Sequence, residues 1–314
     1  MLVIVIVSWN VRELLRRCLQ SLSDHPCSRL PQRIVVVDND SSDGSAEMVA
    51  AEFPAVELLR RENRGFSAGN NAGLQRAAEL WANAPIDDCF AFLLNPDTEV
   101  APGALDALVG AMHTQARAGL IGPQLRYPDG AVQSSRRRFP TLELALVEST
   151  WAAASAPAAL FDHYYVRDAS DDAPCRVDWV VGAAMLARRA VIEQVGGLDD
   201  ATFFMYSEET DWCRRIVQAG WEVWYWPAAR IVHHEGRSSG QVSARRMMLF
   251  NTSKVRYFRK HHGEAQAERL RRGLLGQFRR QLCIETVKLL IGHKPALRRE
   301  RIAAYRAVLR SGLK

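Results

Sequence analysis

The sequence predicts an α/β protein with a mainly parallel central sheet flanked by helices and a helical extension at the C-terminal end. Three observations carry that prediction. Through the first 125 residues, short β-branched runs alternate with stretches whose apolar residues recur at helical spacing, the pattern of successive βαβ units. Polar residues directly follow those strand runs, at the sheet edge where ligands bind in such folds. Within 264–314, Leu270, Leu274, Leu275, Phe278, Leu282, Val287, Leu290 and Ile291 recur at helical spacing among Arg and Lys.

Strands are expected at 2–7, 34–38, 56–60 and 90–94. Between them, 11–22, 46–53, 68–81 and 104–115 carry the helical pattern, and right-handed crossovers place them on the sheet faces. From 127 to 175 the pattern weakens: Arg136-Arg137-Arg138-Phe139-Pro140, an Ala-rich stretch and an acidic segment at 168–172 suggest loops and surface helix. Order returns at 177–187 and 191–195, with a helix over 208–219 and short strands at 221–226 and 230–233.

At 314 residues and 48% hydrophobic composition, the chain can bury a large core without a disulfide scaffold. The six cysteines, at 18, 27, 89, 175, 213 and 283, form no CxxC pair and no zinc-ligand spacing, so they read as mostly reduced core residues and favour the cytoplasm. The opening apolar run is too short for a secretory signal or a membrane span and reads as a strand. The net charge of +6 is unevenly placed: residues 254–314 hold 17 Lys and Arg against 4 Asp and Glu, a net +13, which leaves −7 for the rest. A basic amphipathic tail suits an anionic membrane surface, whereas an acidic body argues against nucleic acid as the partner.

Six segments could carry chemistry. Ser8-Trp9-Asn10, Asp38-Asn39-Asp40-Ser41-Ser42-Asp43 and Asn95-Pro96-Asp97 each follow a strand and would line one rim. A carboxylate such as Asp97 there can hold a hard divalent cation beside phosphates, although a Pro-assisted turn with a helix cap explains the same residues, as an Asx-turn explains Asp38. Residues 63–71, with Asn63, Gly65 and Gly69, join a strand to a helix through small side chains that would let backbone approach a nucleotide. No GxGxxG or GxxxxGK[ST] occurs, which disfavours a dehydrogenase or a kinase. Glu208-Glu209-Thr210-Asp211 opens a helix after an aromatic run. Three carboxylates so placed could include a general base, or simply complement the helix dipole. His233 ends a short strand and could join Asp97 around a metal, or be a satisfied core histidine; Arg237 could clamp phosphate or lie on the surface.

Taken in order, these segments resemble the family 2 glycosyltransferases of the GT-A fold, particularly the bacterial rhamnosyltransferase-like branch, over about residues 2–240. The resemblance rests on Val7-Ser8-Trp9-Asn10, the 37–44 segment, 63–71, Leu94-Asn95-Pro96-Asp97, Gly182-Ala183-Ala184-Met185, 204–211 and His233-His234-Glu235-Gly236-Arg237-Ser238. It implies that Asp38 binds the donor's base, with Ser8, Asn10 and Asn39 near the nucleotide and Asn63 and Gly65 approaching from the next loop. Asp97 matches the surviving acid of the family's Asp-x-Asp motif, with Asn95 in the first position, and His233 matches the first position of its His-x-x-Gly-x-Ser pattern as a further metal ligand. The family's base is the second acid of a Glu-Asp pair. That position is Glu209 here, a longer side chain, so Glu208 and Asp211 stay in consideration.

The resemblance thus implies an inverting transferase dependent on a divalent cation, Mg2+ or Mn2+. It would move a sugar, rhamnose from dTDP-rhamnose as first choice, from a nucleotide-sugar donor to a hydroxyl of a glycan or lipid-linked glycan in cell-envelope polysaccharide synthesis. A catalytic domain is expected over 1–253, with its donor-binding half to about 125 and its acceptor-side half over 126–253. The basic extension over 254–314 is expected to touch the inner face of the plasma membrane through 264–314 or to pack as a helical hairpin. A sugar nucleotidyltransferase and a catalytically silent sugar-nucleotide- or polysaccharide-binding subunit are the alternatives.

Overall fold

The computed structural model describes residues 1–148, 150–234 and 244–314. In chain order its elements are β1 (Leu2–Ser8), α1 (Arg12–Asp24), β2 (Gln32–Asn39), α2 (Ser45–Glu52), β3 (Glu57–Arg61), α3 (Phe66–Leu80), β4 (Phe90–Leu94), β5 (Thr98–Val100), α4 (Ala104–Thr114), β6 (Ala118–Arg126), β7 (Val132–Gln133), β8 (Arg136–Arg137), α5 (Leu142–Val147), α6 (Ala158–Tyr164), β9 (Cys175–Val177), β10 (Trp179–Val180), β11 (Ala184–Arg188), α7 (Arg189–Val195), α8 (Glu208–Gln218), β12 (Glu222–His233), α9 (Ala244–His262), α10 (Glu264–Leu290) and α11 (Pro295–Ser311).

The main sheet runs β3-β2-β1-β4-β11-β6-β12-β5, with β7 paired to β6 and β9 to β12; β8 and β10 form a separate ladder. From β3 to β4 the strands are parallel, and the register sets Ser8 beside Asp38 and Ile6 beside Leu94. Beyond β4 the sheet is mixed. β11 enters antiparallel between β4 and β6 and brings its amino end, Ala184, beside Leu94, while β12 runs parallel to β6. The carboxyl ends of β1, β2 and β4 and the amino end of β11 therefore share one rim.

Local chemistry explains the elements. Residues 2–7 are all buried, as a strand covered by helices on both faces requires. On α1 the buried residues Leu15, Cys18, Leu19 and Leu22 follow i, i+3, i+4, i+7 and face the sheet. Helix α3 lies close on β1 through Gly73, where an added Cβ would stand 2.1 Å from Val5 Cγ1. The strands expected at 221–226 and 230–233 are one strand, β12, whose register shifts between Trp226 and Arg230, so Pro227 sits in an irregularity rather than ending the strand.

The described residues fall into two compact units: Met1–Phe139, Asp162–Asp200 and Glu208–Ser238 in one, Pro140–Phe161, Ala201–Ser207 and Ser239–Lys314 in the other. The boundary expected at 253/254 lies inside α9. The tail helices find their core in the second unit, where Ala145, Phe203, Val255, Phe258, Leu270, Leu274 and Val308 pack together. Much of the apolar stripe expected to face lipid is thus buried against protein. All six cysteines are free, and among the described residues no helix is long and apolar enough to cross a membrane.

Candidate active site

The first unit's rim begins at Ser8 and Asp38, the last residues of β1 and the penultimate of β2. Asp38 is buried. Its Oδ2 accepts from the Ser41 amide at 3.1 Å, while its Oδ1 and the Ser8 hydroxyl are buried without a partner. Unpaired buried polar atoms at a strand end suit a ligand that brings its own donors. Asn10 adopts a left-handed backbone (φ 53°), and its Oδ1 accepts from the Ser42 amide at 2.7 Å, tying the β1 and β2 loops together. Asn39 donates to the Gly65 carbonyl at 3.1 Å, and Asn63 Oδ1 accepts from the Gly65 amide, also at 3.1 Å. Gly65 has φ 102°, a region that favours glycine. Gly69, read from the sequence as a point of ligand approach, instead lets α3 sit on β1: a Cβ there would meet Val7 Cγ1 at 2.7 Å.

The Asn95-Pro96-Asp97 turn links β4 to β5. The β5–β12 ladder pairs Thr98 with His233, which carries the histidine to Asp97. Both side chains are buried, with His233 Nε2 3.4 Å from Asp97 Oδ1, and the His234 amide donates to the Asp97 carbonyl at 2.9 Å. His233 Nδ1 lies 2.9 Å from Gln133 Oε1. That amide oxygen only accepts, so Nδ1 donates to it and Nε2 is the ring nitrogen that faces the Asp97 carboxylate. An imidazole nitrogen and a carboxylate so juxtaposed fit a shared cation. Asn95 Oδ1, buried and without a partner, adds an oxygen at the same turn. Gln133 was not singled out from the sequence, because it lies in the weakly patterned 127–175 region. His234 is engaged elsewhere, with Nε2 2.7 Å from Glu99 Oε1. Among the described residues no cluster of three or more His, Cys, Asp or Glu is poised around an ion, so a cation at Asp97 and His233 would need oxygens from a ligand as well.

The acidic triplet lies in the first turn of α8, after left-handed backbone at Tyr206 (φ 71°) and Ser207 (φ 66°). Glu208 is buried with Oε2 unpartnered; burial, and then the charge of Glu209, push its carboxyl well above the usual range. Glu209 is half-buried with Oε2 also unpartnered, and burial raises it too, against the opposing pull of backbone amides and of Arg137. Desolvation thus outweighs the helix dipole. A Cβ on Gly182 would lie 3.5 Å from Glu209 Cβ, and the next residue, Ala183, accepts the Asn95 amide at 2.8 Å. Glu209 therefore stands beside the β4–β11 end of the rim that carries the Asn95–Asp97 turn.

Asp211 is different. It is fully buried and paired with Arg215 at 2.9 Å, and Arg215 also donates to the Val195 and Gly197 carbonyls. That bonding makes it an anchor for α8 rather than an acid turned to the rim. Arg137, not anticipated from the sequence, lies on β8 with its guanidinium 4.4 Å from the Tyr165 ring centroid and 5.9 Å from that of Trp179. Arg237 lies outside the described residues.

A parallel half-sheet with ligand-ready polar ends carries an acid–imidazole pair and a desolvated carboxyl pair on one rim, the arrangement expected of a glycosyltransferase of the GT-A fold. The chain belongs to glycosyl transferase family 2, whose model matches residues 3–196. It is 31% identical over 266 residues to the N-acetylglucosaminyl-diphospho-decaprenol L-rhamnosyltransferase of Mycobacterium tuberculosis (strain CDC 1551 / Oshkosh), covering 82% of this chain and 84% of that protein. To rhamnosyltransferase WbbL of Escherichia coli (strain K12) it is 26% identical over 247 residues, covering 76% and 86%. Among solved structures, the mannosyltransferase PcManGT of Pyrobaculum calidifontis, in complex with GDP-Man and Mn2+, superposes with TM-score 0.55 at 15% identity, covering 99% of this chain and 84% of that one. The nucleotidyltransferase alternative is thereby set aside.

Proposed function

We propose that this protein is an inverting rhamnosyltransferase that moves rhamnose from dTDP-rhamnose to a hydroxyl of a lipid-linked glycan at the cytoplasmic face of the membrane, with Glu209 as general base. The observation that carries the proposal is the placement of Glu209. Its desolvated carboxyl, with Oε2 unpartnered, stands beside Gly182, next to the residue that binds Asn95, on the rim where Asp38 and Asp97 also lie. The rhamnosyl donor and the lipid-linked acceptor follow the two rhamnosyltransferase relatives, one of them named for a diphospho-decaprenol substrate.

On this reading Ser8, Asn10, Asp38, Asn39, Asn63 and Gly65 hold the nucleotide, and the unpartnered Asp38 Oδ1 accepts from the base. Glu209 takes the proton of the acceptor hydroxyl, whose oxygen attacks the anomeric carbon as the bond to the diphosphate breaks. The electron pair leaves on the diphosphate oxygen, and a single displacement inverts the anomeric centre. Asp97 and His233, with Asn95 close by, would hold the divalent cation, which supplies Lewis-acid stabilisation of the leaving diphosphate on the order of several kcal/mol. A carboxylate suits either Mg2+ or Mn2+, and the imidazole tips the preference toward Mn2+. Burial and its neighbour's charge push the Glu208 carboxyl upward, which disfavours two negative charges on the pair.

The test is a panel of nucleotide sugars with Mn2+ and the purified protein, read by nucleoside diphosphate release with and without a prenyl-diphosphate-linked acceptor. Release of dTDP from dTDP-rhamnose, stimulated by the acceptor, is expected. Silence across the whole panel would contradict the reading and favour a catalytically silent binding subunit.

A further inference from the structure

The expected membrane contact spans 264–314, yet the second unit hides much of that segment's apolar surface. Leu270, Leu274 and Leu275 are buried against α9 and α11 residues. The far end of the α10–α11 hairpin is the exception. Val287, Leu290 and Ile291 are 58%, 81% and 74% exposed. Spaced i, i+3, i+4 at the close of α10, they lie on one side of a single turn.

Two features beside this tip show what it would meet. Thr286, Leu289, Arg299, Ile302, Ala303 and Arg306 line a groove of about 280 Å³ between α10 and α11, with apolar and guanidinium groups side by side. Residues 286–306 hold six Lys and Arg against one Glu. Lys294, Arg299 and Arg306 have no carboxylate partner among the described residues, whereas buried Glu285 engages Arg298 at 2.7 Å and clasps the two helices together. An apolar tip within basic side chains repels a second copy of itself and complements a surface that is apolar within and anionic without.

We propose that the α10–α11 tip is the membrane anchor of this protein. Val287, Leu290 and Ile291 enter the boundary between headgroups and acyl chains of an anionic phospholipid bilayer, and the groove of Arg299 and Arg306 receives a lipid phosphate. The anchor rests on the reading that the acceptor is lipid-linked, and its test is separable from that reading.

The full chain is sedimented with phosphatidylcholine vesicles with and without phosphatidylglycerol at low salt. Binding to the anionic vesicles is expected, weakened about tenfold or more by L290S/I291S. R299E/R306E should weaken it more than R269E/R310E, which changes the net charge equally away from the groove. These substitutions are meant to leave the thermal midpoint and the acceptor-free donor hydrolysis unchanged. Failure of the unaltered chain to bind anionic vesicles, or equal binding by L290S/I291S, overturns the anchor. Vesicle binding without sugar transfer to the lipid acceptor refutes the functional reading alone and leaves the anchor standing.

Discussion

At the residue scale, His233 Nε2 and Asp97 Oδ1 face one another at 3.4 Å, with the imidazole oriented by Gln133. Because the described residues supply so few ligands, Mn2+ should bind weakly to the protein alone and at least about tenfold more tightly with dTDP present, as titration calorimetry would show. Gln133→Ala should lower the metal affinity of the ternary complex about 10- to 100-fold by freeing the ring. Equal affinity with and without nucleotide would contradict a shared site. Glu208 makes a separate prediction. Its folded-state pKa is raised, so its neutral form favours folding; stability is full at acid pH and is lost as pH rises through the usual carboxylate range toward the folded value. Glu208→Gln should therefore raise the unfolding midpoint at mildly alkaline pH and change it little at acid pH. A variant equally or less stable at alkaline pH would contradict that environment.

At the scale of elements, the legible parts are those in which one physical signal dominates. β4 falls at 90–94 as expected, and β1 to β3 and α1 to α4 lie within about two residues of their expected ends, because buried β-branched runs and regular apolar spacing leave few alternatives. β6, a central strand, went unrecognised. Its sequence, Ala-Gly-Leu-Ile-Gly-Pro-Gln-Leu-Arg, carries two glycines and a proline, ordinarily marks against a strand. The structure supplies the reason: a Cβ at Gly119 would stand 2.8 Å from Trp221 Cβ, and one at Gly122 2.7 Å from Val180 Cβ. The glycines serve close packing that only the folded chain reveals. Strand ends marked Ser8, Asp38 and Asp97 from sequence alone, whereas Gln133 and Arg137 lie on two-residue strands too short to leave a pattern. The same packing logic predicts that Gly73→Ala, which must displace Val5 from beneath α3, destabilises the protein by about 1–3 kcal/mol in denaturant unfolding. A neutral substitution would show that α3 and β1 have room to part.

At the scale of the whole molecule, acids separated by more than a hundred residues in sequence are gathered on one rim of the first unit because the sheet runs parallel as far as β4 and then reverses at β11. The second unit has a core of its own, and the chain's positive charge is concentrated in the tail helices it contains. The two proposals together divide the labour, with chemistry at the rim and attachment at the helical tip. The measurement that bears most directly on the rim is the rate of acceptor-dependent dTDP release by Glu209→Gln, taken with its affinity for dTDP-rhamnose. With the base removed and the donor site intact, kcat should fall about 10²- to 10⁴-fold while the donor's dissociation constant stays within about twofold. A Gln variant that turns over at a near-normal rate would place the base elsewhere and contradict the account.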